Sequence, residues 1–274
     1  MVLRNELSCF LADLYRYENF QDKCENGLQV EGKETINRIV FGVSFNLPFL
    51  KQALEKKPDA IIVHHGIFQQ GVFKLTGTLK QKVKMLLDNG ISLYGIHLPM
   101  DAHPEIGHAA LLLSASGAEE LEPFDVGSKG KNAEGHTLDR LLEIFHTQLH
   151  TVNTENTEHT ESFDATREPE NPIFSLSTKF GFRVLRNGPE IPKHMVVMTG
   201  GSSDFYEKAI KNGVDTFFGG DIKEKTPALS LETQTNFINL GHYYSEKPGV
   251  LALEKLLAEK FALRTDYIEI PNPV

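Results

Sequence analysis

Apolar residues recur at two spacings along this chain of 274 residues, and the two spacings alternate. Leu3, Leu7, Phe10, Leu11 and Leu14 fall three or four apart, which predicts an amphipathic helix over 3–18. Asn26-Gly27-Leu28-Gln29-Val30 reads as a turn entering a short strand, and the β-branched run over 36–43 as a second strand. A helix over 47–57 stops before Pro58, and a strand over 60–63 follows. Beyond a loop rich in Gly and Phe, a helix over 77–88 ends at Asn89-Gly90, a good C-terminal stop. A strand over 91–96 and a helix over 104–116 complete this stretch.

The second half repeats the same logic without a repeat of fixed period. Leu138, Leu141, Leu142, Ile144, Phe145 and Leu149 predict a helix over 137–149. Strands over 180–185 and 194–198 precede a Gly-Ser turn and a helix ending at Asn212-Gly213. A strand over 214–218, a helix over 227–233, a strand over 236–240, a helix over 247–262 and a last strand over 266–270 follow. Strands and helices alternating through short connections predict an α/β layered sheet. The stretch 150–172 breaks the pattern: it is rich in Thr, Asn and Glu, and its only bulky apolar residues are Val152 and Phe163. Such a segment buries too little apolar area to offset its ordering entropy, so a flexible excursion with solvated His150 and His159 is expected.

Composition narrows the class of function. The length suits one large α/β domain or two modest ones. A net charge of −9 argues against a nucleic-acid or membrane-surface partner, which would call for excess Lys and Arg. Cys9 and Cys24 make neither a disulfide framework nor a zinc-finger spacing. Residues 1–7 have no secretory character, and no apolar run approaches a transmembrane length, which leaves the cytoplasm as the expected compartment.

Histidines and carboxylates stand where predicted strands end. His64-His65-Gly66 follows Ile61-Ile62-Val63, His97-Leu98-Pro99-Met100-Asp101 follows the strand over 91–96, and Gly241-His242 with Glu246 follows the strand over 236–240. Imidazoles and carboxylates are the donors that divalent first-row ions prefer. Ligands at the carboxyl ends of α/β strands converge on one crevice, which points to a site for two ions. Adjacent strand residues face opposite ways, so His64 and His65 share a site only if the chain leaves the pleat, which Gly66 permits; alternatively each serves a different ion. His242 and Glu246, four apart, form a chelate on a helix, whereas Pro99 makes the His97–Asp101 stretch a loop. Asp101 is the candidate bridge, since two ions about 3.5–4 Å apart can clamp both ends of a displacement.

Other polar residues carry less. His103, Glu105 and His108 are expected to cap or decorate a helix. Thr199-Gly200-Gly201-Ser202-Ser203 ahead of a helix could receive an anion, yet it lacks the Lys-Ser/Thr ending of a P-loop. Asp221 reads as a pocket residue or a helix cap. No Gly-x-Ser-x-Gly elbow supports a serine nucleophile.

Taken together, Asn26-Gly27-Leu28-Gln29-Val30, His64-His65-Gly66, His97 to Pro104, Thr199-Gly200-Gly201, Gly241-His242 with Glu246 and the closing Ile270-Pro271-Asn272-Pro273 resemble the Nif-three-like family of dinuclear-metal proteins, the GTP cyclohydrolase 1 type 2 homologues. The resemblance spans the chain; Glu25 stands where an Asp is more usual, and the 150–172 stretch is longer than in the shortest relatives. Carried over by motif, it implies His64, His65, Asp101, His242 and Glu246 as ligands of two divalent ions (zinc, iron, manganese, nickel or cobalt), with His97 orienting Asp101 or completing a shell. It implies two similar α/β lobes packed around a dinuclear metal cleft: one over 1–130, one over 179–274, and a connecting helix plus polar excursion over 131–178. It also implies a toroidal homohexamer. The activity to expect is a metal-dependent hydrolase acting on a nucleotide or another phosphoester, with a non-enzymatic scaffold or regulatory partner as the alternative.

Overall fold

A computed structural model describes residues 1–69, 74–150 and 175–274, which form a mixed α/β protein of two compact units. The first unit comprises Met1–Gly107 and Gly249–Asn272, and the second His108–Pro248 with the last two residues. In chain order the first begins with β1 (Val2–Leu3), α1 (Arg4–Tyr15), β2 (Gly27–Val30), β3 (Thr35–Ile36), β4 (Arg38–Ser44) and α2 (Leu47–Glu55). It continues through β5 (Ala60–His65), α3 (Gly77–Asn89), β6 (Ser92–Gly95) and α4 (Leu98–Asp101).

The strands β4, β5 and β6 run parallel, with the antiparallel β2 beyond β6. Their apolar residues form nearly continuous runs because helices cover the sheet. Val40, Ile61, Val63 and Leu93 pack against Phe49, Leu50, Val83 and Leu86 from α2 and α3. Asn46 starts α2 by accepting the Phe49 N–H at 2.9 Å, and Gly90 ends α3 in a left-handed conformation.

The second unit holds α5 (His108–Ala115), β7 (Glu119–Phe124), β8 (Gly127–Lys131), α6 (Leu138–His150), β9 (Ser177–Lys179), β10 (Phe182–Arg186), β11 (His194–Met198) and α7 (Tyr206–Lys211). It closes with β12 (Thr216–Gly219), α8 (Lys225–Thr233), β13 (Asn236–Asn239) and α9 (His242–Ser245). Its sheet has the order β7-β8-β11-β12-β13-β10-β9, with only β11, β12 and β13 parallel. One face packs Met195, Val197, Phe218 and Ile238 against α5 and α6; the other packs Val196, Phe217 and Phe237 against Tyr206 and Ala209.

The chain then returns to the first unit through α10 (Pro248–Phe261) and β14 (Arg264–Tyr267), which adds to β4 in parallel. The units therefore do not follow the chain-order division expected over 1–130, 131–178 and 179–274. The β7–β8 hairpin joins the second sheet, α6 packs on that sheet, and backbone pairing to β4 claims the C-terminal strand. That hairpin had no counterpart in the sequence-based elements, because β7 carries exposed Glu119, Glu120 and Glu122 and lacks an alternating pattern. Pro99 also departs from expectation. It occupies the first turn of α4, where the missing N–H costs nothing, so the His97–Asp101 stretch is a helical turn and not a loop. The polar excursion lies outside the described residues from 151 to 172, His159 included; His150 ends α6, its ring 4.7 Å from that of Tyr244.

Candidate metal centre

The carboxyl ends of β5 and β6 place three imidazoles together. The rings of His64 and His65 lie 4.6 Å apart, and His97 lies 5.0 Å from His64 and 5.6 Å from His65. Each of the three offers a nitrogen within 4.8 Å of the others. His65 remains in the β5 ladder opposite Ser44, and Gly66 has no positive φ. What Gly66 supplies is room: a Cβ there would stand 2.2 Å from Gln29 Oε1. Asp101, on the buried turn of α4, brings Oδ2 to 3.6 Å from His64 Nε2, too long for a hydrogen bond.

Every ring is anchored through Nδ1. His64 Nδ1 donates to the Ile96 carbonyl at 2.9 Å, His65 Nδ1 meets Ser44 Oγ at 3.1 Å, and His97 Nδ1 meets Asp22 Oδ1 at 2.9 Å. Outer bonds of this kind fix ring direction in metal-ligating histidines. Imidazole nitrogens beside a buried carboxylate suit a divalent ion of borderline softness, so the donor set fits one. Burial alone would raise the Asp22 carboxyl, but bonds from His97, Asn26 and the Cys24 N–H hold it well below the usual carboxylate range. Burial likewise opposes the His97 imidazolium; bonds to Asp22 and Cys24 and the charges of Asp101 and Asp22 prevail and raise it to about 10.

In the second unit, α9 follows Gly241, whose φ of 83° turns the chain at the end of β13. His242 Nε2 and Glu246 Oε1 are 3.2 Å apart across one helical turn, as their spacing predicted. Glu246, the residue that follows α9, is a buried carboxylate, 2 % exposed. The Gly200 backbone, at φ +64°, presses against it: a Cβ on Gly200 would stand 2.2 Å from Glu246 Oε1 and 3.5 Å from His242 Nε2. Gly200 N donates to Ser245 Oγ at 3.2 Å, and Ser245 Oγ donates to the His242 carbonyl at 2.9 Å. The Gly-rich turn thus braces the His242–Glu246 pair.

That use differs from anion capture. Ser203, in the same turn, spends its N–H on Asp221 Oδ1 at 2.7 Å and its hydroxyl on Asp221 Oδ2 at 2.8 Å. Asp221 is accordingly a cap for the turn, the second of the two roles its sequence allowed. His103 caps as expected, its Nδ1 accepting the Glu105 and Ile106 N–H groups at 3.2 Å each. His108 does not decorate a surface; it opens α5 fully buried. Sequence reasoning overlooked Asp22 and Ser44, whose contacts with His97 and His65 span 75 and 21 residues.

Comparison with known proteins gives a consistent result. The family described as Duf34/NIF3 (NGG1p interacting factor 3) matches residues 2–273. A Yersinia pestis protein named GTP cyclohydrolase 1 type 2 homolog is 35 % identical over 278 residues, covering 99 % of this chain and 100 % of the relative. Its namesake from Salmonella typhimurium is 34 % identical over 273 residues, covering 98 % of each. Among solved structures, protein ybgI, described as of unknown function, superposes with a TM-score of 0.81 at 31 % identity over 100 % of both chains. Thermus thermophilus TTHA1606 gives 0.82 at 28 % identity, again over 100 % of both chains. Among the described residues no helix is long and apolar enough to cross a membrane.

Proposed function

This chain belongs to the Duf34/NIF3 family, and we propose that it is a dinuclear metal-binding protein working as a metal-dependent hydrolase. One observation carries the proposal: three imidazoles at two adjacent strand ends, each anchored through Nδ1, beside the buried carboxylate of Asp101. The ligands in this proposal are His64, His65, Asp101, His242 and Glu246. Bound divalent ions at such donors supply Lewis acidity and activate water near neutral pH. Asp101, the buried carboxylate beside His64, is assigned the bridging role. Buried Glu246 and half-exposed His242 form the second chelate, held by the turn at Gly200. The substrate class is a nucleotide or other phosphoester, the first of these suggested by the cyclohydrolase name that the relatives carry. A homohexamer belongs to the same proposal.

A second reading has its own support. The family description names an interacting factor, which favours a metal-binding scaffold without turnover. Elemental analysis of the purified chain, followed by assays on GTP and a generic phosphodiester before and after metal restoration, separates the two. About two ions per chain and metal-restored turnover are expected. A folded chain that takes up no divalent ion removes the proposal; a fully metallated chain silent on both substrates favours the scaffold.

A further inference from the structure

The segment 22–29 contributes none of the proposed ligands, yet its polar side chains converge on both ligand-bearing strand ends of the first unit. Asp22, 3 % exposed at its side chain, is the hub. Its Oδ1 accepts from His97 Nδ1 at 2.9 Å and from Cys24 N at 3.0 Å. Its Oδ2 accepts from Leu98 N and Asn26 Nδ2, both at 3.0 Å. Asn26 closes the ring, its Oδ1 accepting the His97 N–H at 2.7 Å. Two residues of this short segment therefore hold His97 at its backbone and at its ring.

The backbone explains why these bonds are required. His97 has φ −100° and ψ −113°, outside both regular regions, so neither a sheet nor a helix meets the N–H groups of His97 and Leu98. Side chains from 22 and 26 meet them instead. Leu98 is the first residue of α4, and a carboxylate on its N–H stabilises the start of a helical turn. Asp101 ends that turn, so one carboxylate governs both the direction of the His97 ring and the seat of Asp101.

Asp22, Cys24 and His97 also bring donor atoms within 4.8 Å of one another, as a three-ligand ion site would. The geometry argues for a different role. A carboxylate has about four lone-pair positions, and four N–H groups already occupy those of Asp22, two on each oxygen. It is a hydrogen-bond hub with nothing left to offer a cation.

We propose that Asp22 is a positioning residue of the metal half-site, acting through His97 and the α4 turn so that His97 and Asp101 stand in place before an ion arrives. The inference rests on the metal-binding proposal above and adds a residue to it. Co(II) affinity, measured on the full chain by competition with a chromophoric chelator, tests it. The Co(II) visible spectrum reports ligand geometry in the same samples. The D22N variant keeps the size of the side chain but turns an N–H donor toward Leu98 N and Asn26 Nδ2. It is expected to lose about 10–100-fold in Co(II) affinity, the usual cost of removing an outer partner. H97A is expected to lose a similar factor, and D22N added to H97A to cost clearly less than D22N alone, because the His97 ring contact is gone while the Leu98 N–H contact remains. A D22N loss of the same size in both backgrounds would mark Asp22 as merely structural and overturn the inference. If D22N does not fold, H97A decides alone: unchanged affinity and spectrum overturn the inference, and a tenfold or greater loss supports it. A folded wild-type chain that binds no Co(II) removes the metal proposal and this inference together. A wild type that binds, with D22N binding as tightly, overturns this inference only.

Discussion

Gln29 fills the space that Gly66 leaves open, its Oε1 lying 2.2 Å from where a Cβ on Gly66 would begin. The amide is not at liberty to move aside. Its Oε1 accepts the Ile67 N–H at 2.8 Å and its Nε2 donates to the Glu25 carbonyl at 2.6 Å. Gly66→Ala should therefore destabilise the protein by about 1–3 kcal/mol, as overpacking does. With Gln29 truncated to Ala the clash disappears, so the double variant should cost clearly less than the sum of the two singles. Chemical denaturation of the four proteins measures this, and simple additivity would show that the two side chains do not share the space.

A second prediction concerns Glu254 on α10. Burial raises its pKa, the nearby Asp266 raises it further, and a hydrogen bond with Thr265 only partly offsets them. Asp266 is itself paired with Arg38 at 2.7 Å and Lys56 at 3.4 Å, so those cations are committed elsewhere. An unfolded Glu titrates near about 4.3. Between that value and the raised folded one, the native state binds more protons, so stability falls as pH rises through this window. Glu254→Gln removes the buried charge and should raise Tm at pH 7, with the gain vanishing below the unfolded pKa. Thermal melts at both pH values check it; a lower Tm for the variant at pH 7 would mean that the carboxylate is a net stabiliser.

Asp101 and His103 stand two residues apart and should separate cleanly. Asp101 faces the His64 imidazole, whereas His103 accepts two backbone N–H groups of the following turn. Asp101→Asn should weaken retention of divalent metal by more than about tenfold, a loss at least as large as that of an outer partner. His103→Ala should lower stability by about 1 kcal/mol and leave the metal in place. Elemental analysis after dialysis against a weak chelator reads both; equal retention in the two variants would remove Asp101 from the ligand set.

How much of this was legible in the sequence depends on the range of the interactions. The parallel strands β4, β5 and β6 were legible because they are buried on both faces and read as unbroken apolar runs. The ends of α3 and α7 were marked by Gly90 and Gly213, both with positive φ. The His242–Glu246 pair was legible because one helical turn sets its spacing. Local spacing could not reveal Asp22 beside His97, 75 residues away, nor that β14 would leave its neighbours in sequence to pair with β4. Pro99 misled because proline breaks helices in their interiors and is tolerated in their first turn. Gly66 misled in the same way: its freedom of φ was the obvious property, and its missing side chain was the one used.

Two of the left-handed glycines of the second unit provide the last test. Gly200 has φ 64° and Gly213 has φ 77°, so an Ala at either position adopts a conformation unfavourable to an L-residue by about 1–2 kcal/mol. Only their surroundings differ. A Cβ on Gly213 would meet nothing within 4 Å, whereas one on Gly200 would meet Glu246 Oε1 at 2.2 Å and His242 Nε2 at 3.5 Å. Both variants should therefore lose stability, with Gly200→Ala the more affected, and only Gly200→Ala should also lose affinity for divalent metal. Thermal stability and metal competition measured on the same samples distinguish backbone cost from displacement of Glu246. If Gly200→Ala binds metal as tightly as Gly213→Ala, the turn at Gly200 does not seat the carboxylate, and the assignment of Glu246 as a ligand loses its structural support.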